Sequence, residues 1–213
     1  MQDFFPQVAF TVFDIPVRDT VISTWVMMAL IVALAVVIGR RRPAALEMLF
    51  GFLNDTISDI IGRPAEPFLP FLGALVIFIA VANLIGVVPF LVSPTRDINT
   101  PLALALVVFF SVHYFGMRSK GIFGYLKGLA SPIFMLPLEL IGQFSRTLSL
   151  TLRLFGNIIS TDMVVAVIFA LVPLIAPLPL IGLSIFTGLL QAYIFTALAA
   201  VFIGAGLEAS EPV

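Results

Sequence analysis

The sequence predicts an all-α polytopic membrane protein with about five membrane-crossing helices. Two of these form a long, steeply tilted pair, and one further helix is amphipathic and lies at the surface. Three observations carry that reading. Of 213 residues, 61% are apolar and 11% charged, against about 45–50% and about 25% in a soluble domain. Mean hydropathy is +1.16, so too little polar surface exists to cover the chain in water. The apolar residues also fall in runs of the roughly 20 that a crossing helix needs. This balance excludes a soluble enzyme, a nucleic-acid binder and a disordered tail. A net charge of −1 offers no field for a polyanion. With no cysteine and one histidine, His113, neither a thiolate nor a histidine-built metal centre is expected. No cofactor is expected either, and lipid is the first partner implied.

The whole chain, 1–213, reads as one membrane domain. Residues 1–20 form a short N-terminus with little structure of its own expected. The first span, within 21–43, runs from Val21 to Ile38. Asp3, Asp14 and Asp19 precede it and Arg40, Arg41 and Arg42 follow it. A signal peptide has the opposite polarity, so the span is uncleaved. The positive-inside rule puts its N-terminus outside and the arginines in the cytoplasm. Residues 44–63 repeat Leu46, Leu49, Phe50, Leu53, Ile57, Ile60 and Ile61 at three- and four-residue steps, with Glu47, Asn54, Asp55, Ser58 and Asp59 between them. That is an amphipathic helix. It lies either along the cytoplasmic surface or against the protein's own spans.

Residues 64–130 hold the second and third spans. Pro64, Pro67 and Pro70 open the second, Phe68 to Leu91, since proline is tolerated in a first helical turn. Ser93 to Thr100 is a polar turn outside. The third span runs from Pro101 to Met117 and ends at Arg118, Lys120 and Lys127, which return the chain to the cytoplasm. Within 131–213, the stretch from Pro132 to Leu171 is almost unbroken. A helix over Leu138–Leu171 would be about 50 Å long, and the hydrocarbon core is about 30 Å thick. It must tilt steeply or fold back. Pro173, Pro177 and Pro179 interrupt the chain, and a last helix from Leu180 to Gly204 leads to an acidic tail, Glu208 to Glu211, in the cytoplasm. Trp25 reads as an anchor or core residue.

Four charges stand inside apolar sequence: Glu139, Arg146, Arg153 and Asp162. Each costs roughly 2.5–3.5 kcal/mol at the bilayer centre on insertion scales, so they must face protein or water. Glu139, Arg146 and Arg153 recur every seven residues, which returns them to within about 20° on a helix. Gln143 and Ser149 lie near that face, and Asn157 follows Arg153 at i+4. Asp162 falls about 180° from Arg153. Gln191 is the one amide side chain of the last helix. Arg146 can pair with Glu139, Gln143 or an interfacial phosphate. Arg153 has no carboxylate at three or four residues. Gln191 and Asn83 read equally as inter-helix glue, and His113 reads as a hydrogen-bonding residue.

The run Ser149 to Asn157 (SLTLRLFGN) closely resembles the signature of subunit a of F-type ATP synthases, the membrane stator that faces the rotating c-ring. Asn83 to Pro89 (NLIGVVP) resembles that family's second-span ending, and Leu190 to Phe195 (LQAYIF) its last-helix motif. The likeness covers nearly the whole chain. It departs at Asp162, where relatives often carry glutamate or histidine, and at Ser184, where some carry histidine.

The resemblance implies two half-channels that carry protons or sodium ions to and from rotor carboxylates. Arg153 stands between them and stays cationic at any working pH. Asp162 and Asn157, with Gln191 near them, belong to the outer path, and Glu139 and Ser149 to the cytoplasmic one. Implied partners are the c-ring, the peripheral stalk b subunits at the surface helix, and indirectly the catalytic head. No phosphate-binding loop of the G-x-x-x-x-G-K-[ST] type is present, so no catalysis is expected of this chain. The implied location is a bacterial inner membrane. The competing class is a self-contained transporter or channel with Arg153 as its substrate site. Such proteins often carry inverted repeats, and none is visible here.

Overall fold

The computed structural model describes residues 8–12, 15–41, 43–88, 91–129, 135–172 and 177–208. Asp3, Asp14, Arg42, Pro89, Pro132, Pro173 and Glu211 lie outside the described residues. The elements are strands β1 (Val8–Val12) and β2 (Ile15–Arg18), helices α1 (Asp19–Arg41), α2 (Pro43–Ile61) and α3 (Leu69–Ile85), a 3-10 turn (Pro94–Arg96), and helices α4 (Asn99–Leu129), α5 (Met135–Leu171) and α6 (Pro177–Glu208).

Each boundary has a local cause. Asp19 in the first turn of α1 and Arg40 and Arg41 in its last complement the helix dipole. Gly62, at φ 71°, ends α2 in the left-handed conformation glycine adopts without penalty, and its N–H bonds the Ser58 carbonyl at 2.8 Å. A second positive-φ glycine, Gly121 (φ 75°), kinks α4 just past its apolar part. Pro70, Pro137 and Pro179 each sit in a first helical turn, where the missing N–H is harmless.

Helices α1, α4 (over Asn99–Ser119), α5 and α6 are long and apolar enough to cross a bilayer, and α3 is a shorter apolar helix of 17 residues. The protein is thus an all-α integral multi-pass membrane protein. Helix α5 is continuous over 37 residues, or about 55 Å, so the stretch does not fold back.

Helix α6 is the hub, packing on α2, α3, α4 and α5. Its small residues Ala192, Ala199 and Ala200 are buried beside Leu72 and Ile79 of α3, Ala105 and Val108 of α4, and Leu150 and Leu154 of α5. Small side chains let helices approach closely where lipid gives no hydrophobic drive. Helix α1 is peripheral. Met27, with half-buried Ile31 beside it, packs on Ala82 and Ile85 of α3, and Trp25 is 72% exposed, as an anchor would be.

Of the two placements open to the amphipathic helix, α2 takes the second in part, packing on the protein's own spans through Leu53, Ile57 and Ile61. Leu49 and Phe50, on the same apolar stripe, are exposed. The periodicity locates an apolar stripe, but the neighbour covers only the part it reaches. The N-terminal segment differs from the sequence reading in holding an antiparallel hairpin, with Val8 opposite Arg18 and Val12 opposite Ile15. Arg18 fastens it: its Nη1 meets the Asp97 carboxylate at 2.7 Å.

Candidate functional site along α5

The stripe Leu150, Leu154 and Ile158 buries one side of α5. The other side carries Ser149, Leu152 and Arg153, all exposed. Arg153 is the midpoint residue of the helix. Among the described residues it has no hydrogen-bond or ion-pair partner. A permanent cation halfway along an apolar helix thus faces outward from the chain.

Glu139 lies toward one end of α5, in a cavity of about 200 Å³ between α4, α5 and α6. Gln143 donates from Nε2 to Glu139 Oε1 at 3.2 Å. Arg146 Nη1 stands 3.9 Å from the same oxygen, and its guanidinium lies 5.4 Å from the centre of the Phe202 ring. Of the two side chains open to Arg146, Glu139 is the one it pairs with, with an aromatic face as support. His113 and Tyr125 complete the wall. The Phe109 carbonyl oxygen, 2.8 Å from His113 Nδ1, can only accept, so Nδ1 is the donor of this bond. Burial, and then the Glu139 charge, push the Tyr125 phenol above the usual tyrosine range, which keeps it a neutral hydroxyl. Tyr125 is buried against Gly116.

Asp162 lies toward the other end of α5, in a separate cavity of about 460 Å³. Its walls come from the chain after α3 (Gly86, Ser93, Arg96), from α5, and from Ile181 and Ser184 at the start of α6. Arg96 Nε stands 3.7 Å from Asp162 Oδ2. Arg96 was missed in the sequence, where it is one charge in a polar turn far from Asp162. The turn is held from behind. Ser93 Oγ meets the Ala82 carbonyl and Thr95 Oγ1, each at 2.7 Å, and Thr95 Oγ1 meets Asn83 Oδ1 at 2.9 Å. Ser93 and Thr95 bring one hydroxyl proton each, so two of these three contacts are hydrogen bonds at any one time. Asn83 Nδ2 in turn donates to the Gly188 carbonyl of α6 at 2.9 Å.

The two cavities lie at opposite ends of α6, one beside Phe202 and Gly206, the other beside Ile181 and Ser184. Glu139 and Asp162 are thus kept apart, with Arg153 between them along α5. Gln191 is buried on α6, and its Nε2 has no hydrogen-bond partner among the described residues. Ser149 and Asn157 line neither cavity. Asn157 is half-buried, and its carbonyl accepts the Thr161 hydroxyl at 2.8 Å. No group of three or more acidic, histidine or cysteine side chains that could hold a metal occurs among the described residues.

The sequence model of a family described as ATP synthase A chain matches residues 21–204, a span that takes in Glu139, Arg153 and Asp162. The chain belongs to that family. Its relatives include ATP synthase subunit a 2 of a Bradyrhizobium species, 47% identical over 93% of this chain and 92% of the relative. Subunit a 2 of Acaryochloris marina is 41% identical over 90% and 86%. ATP synthase subunit a of Legionella pneumophila is 36% identical over 99% and 95%. Near-complete coverage in both directions makes the correspondence one of whole chains. In family terms, the outward-facing arginine and the two cavities lie in the membrane part of an ATP synthase.

Proposed function

We propose that this chain is the ion-translocating stator subunit of an F-type ATP synthase, without a catalytic site of its own. It guides protons or sodium ions to and from carboxylates on a c-ring. The observation that carries the reading is the placement of Arg153: mid-helix, exposed, unpaired among the described residues, and between two separate polar cavities.

The physics is electrostatic. A rotor carboxylate loaded with its ion is neutral and can face lipid, while a bare one pays a large desolvation penalty there. A guanidinium at mid-depth favours release of the ion from an arriving carboxylate and stabilises the charge left behind. The same cation repels ions that would otherwise run from one cavity to the other. A chain with its N-terminus outside and its C-terminus in the cytoplasm of a bacterial inner membrane has the Asp162 cavity outside and the Glu139 cavity inside. The outer path then uses Asp162, with Asn157 and Gln191 toward the rotor. Glu139 serves the inner path, with Ser149 on the exposed face. The orphan amide of Gln191 suits a donor that meets its partner only in passing. Exposed apolar residues of α5 such as Phe144, Leu148 and Leu152 provide the surface for the rotor. The peripheral stalk's b subunits dock at α1 and α2 and link the chain to the catalytic head.

The test is ATP-driven ion pumping by the whole complex in inverted membrane vesicles. Arg153→Ala is expected to abolish pumping while the complex still assembles. Coupled pumping at the original rate would sink the proposal.

A further inference from the structure

We propose that Arg96 sets the affinity of the outer access path for the coupling ion, by acting as the counter-charge that an entering ion must displace from Asp162. This rests on the stator reading above and adds to it a residue from another part of the chain.

Arg96 and Asp162 are the charged residues lining the cavity of about 460 Å³, and their nearest charged atoms are 3.7 Å apart. The Arg96 side chain is 18% exposed and that of Asp162 39%, so the cation is the better enclosed of the two. Its position is built in. Thr95 before it is fully buried on Asn83. Asp97 after it is buried on Arg18, with Asn99 Nδ2 a further 2.9 Å partner. The Arg96 N–H bonds the Ser93 carbonyl at 3.1 Å. A turn pinned on both flanks holds the guanidinium beside the Asp162 carboxylate. The opposite wall holds Ser184, a hydroxyl with no charge to contribute, so Arg96 supplies the cavity's fixed cation.

A carboxylate alone in a cavity between apolar helices would hold any arriving cation tightly and release it slowly. A guanidinium, which does not deprotonate, competes for the same oxygens. An ion reaches Asp162 by displacing Arg96, and Arg96 returns as the ion moves on toward the rotor. The competition loosens binding and speeds transfer.

The experiment is ATP synthesis by the intact complex in vesicles, measured against outer-side pH and outer-side sodium concentration. Arg96→Gln is expected to lower the half-saturating concentration of the coupling ion about three- to fivefold and to lower the maximal rate as well. Arg96→Met, which covers the case of Gln disturbing the turn, is expected to behave in the same way. Arg96→Lys should stay within about twofold of the parent, because it keeps the charge. In an Asp162→Asn background, Arg96→Gln should no longer move half-saturation. A role confined to holding the turn would lower rate and assembly without that shift. Unchanged half-saturation in both neutral variants, or an equal shift without the Asp162 carboxylate, overturns the proposal. Arg153→Ala run alongside separates the two readings. Transport by that variant removes the stator reading, whereas an inactive Arg153→Ala beside an unaffected Arg96→Gln removes only the role of Arg96.

Discussion

The Asn83 side-chain amide donates to the backbone carbonyl of Gly188 at 2.9 Å, fastening the end of α3 to α6 one turn before Gln191. The approach is tight, since a Cβ on residue 188 would come within 3.1 Å of the Asn83 Cβ. Gly188→Ala should therefore push the helices apart by a few tenths of an ångström and lower stability by about 1–2 kcal/mol. Asn83→Ala removes the bond and the support of Thr95, at a similar cost of about 1–2 kcal/mol. Thermal unfolding of the purified complex in detergent would measure both. Equal midpoints for the variants and the parent would show that the contact does not position α6.

Glu139 is held by Gln143 at 3.2 Å and by Arg146 at 3.9 Å. Glu139→Gln keeps the shape and the hydrogen bond but leaves Arg146 as an uncompensated cation in the cavity. Ion transport should slow by roughly tenfold or more, with normal amounts of assembled complex. Transport at the parental rate would take Glu139 out of the path.

Gly116 faces the Tyr125 ring, and a Cβ there would come within 2.8 Å of Cδ2. Tyr125 is only 3% exposed, so the ring can yield only by shifting into the cavity it lines or by parting the helix from its neighbours. Gly116→Ala should destabilise the chain by about 1–3 kcal/mol through overpacking. A second change, Tyr125→Val, should recover part of that loss in the double variant. Additive losses would mean that the two residues do not press on each other.

Asp97 gathers Arg18 Nη1 at 2.7 Å and the Asn99 N–H at 3.1 Å while itself buried. Asp97→Ala should destabilise by about 1–3 kcal/mol and free the N-terminal hairpin from the turn. Arg18→Ala should do less, since the Arg18 side chain is 42% exposed and water screens its share. Limited proteolysis at the N-terminus would report the release. Equal cleavage of parent and Asp97→Ala would refute the anchor.

Much of the architecture was legible because the bilayer demands it. Runs of apolar residues marked α1, α4, α5 and α6, and prolines marked where helices begin. Spacing placed Glu139 and Arg146 on one face, and the structure joins them. Spacing also set Asp162 on a different side from Arg153, and the structure finds it in a separate cavity. Other features had no signal of this kind. An amphipathic stripe over 44–63 could not say which neighbour would cover it, and Leu49 and Phe50 were left uncovered. The hairpin at Val8–Arg18 is short, and the Arg18–Asp97 pair that anchors it joins residues far apart in the chain.

The chain's own order of residues determined that this protein lives in a bilayer, that it is multi-pass, and that a lasting positive charge sits in the middle of a long apolar helix. Those properties depend on local periodicity and on the cost of charge in hydrocarbon. Tertiary packing alone decided that Arg96 meets Asp162, that Asn83 grips Gly188, and that Glu139 and Asp162 open into different cavities at opposite ends of α6. Such contacts join helices distant in sequence, and no repeat of 3.6 residues encodes which helix will lie beside which.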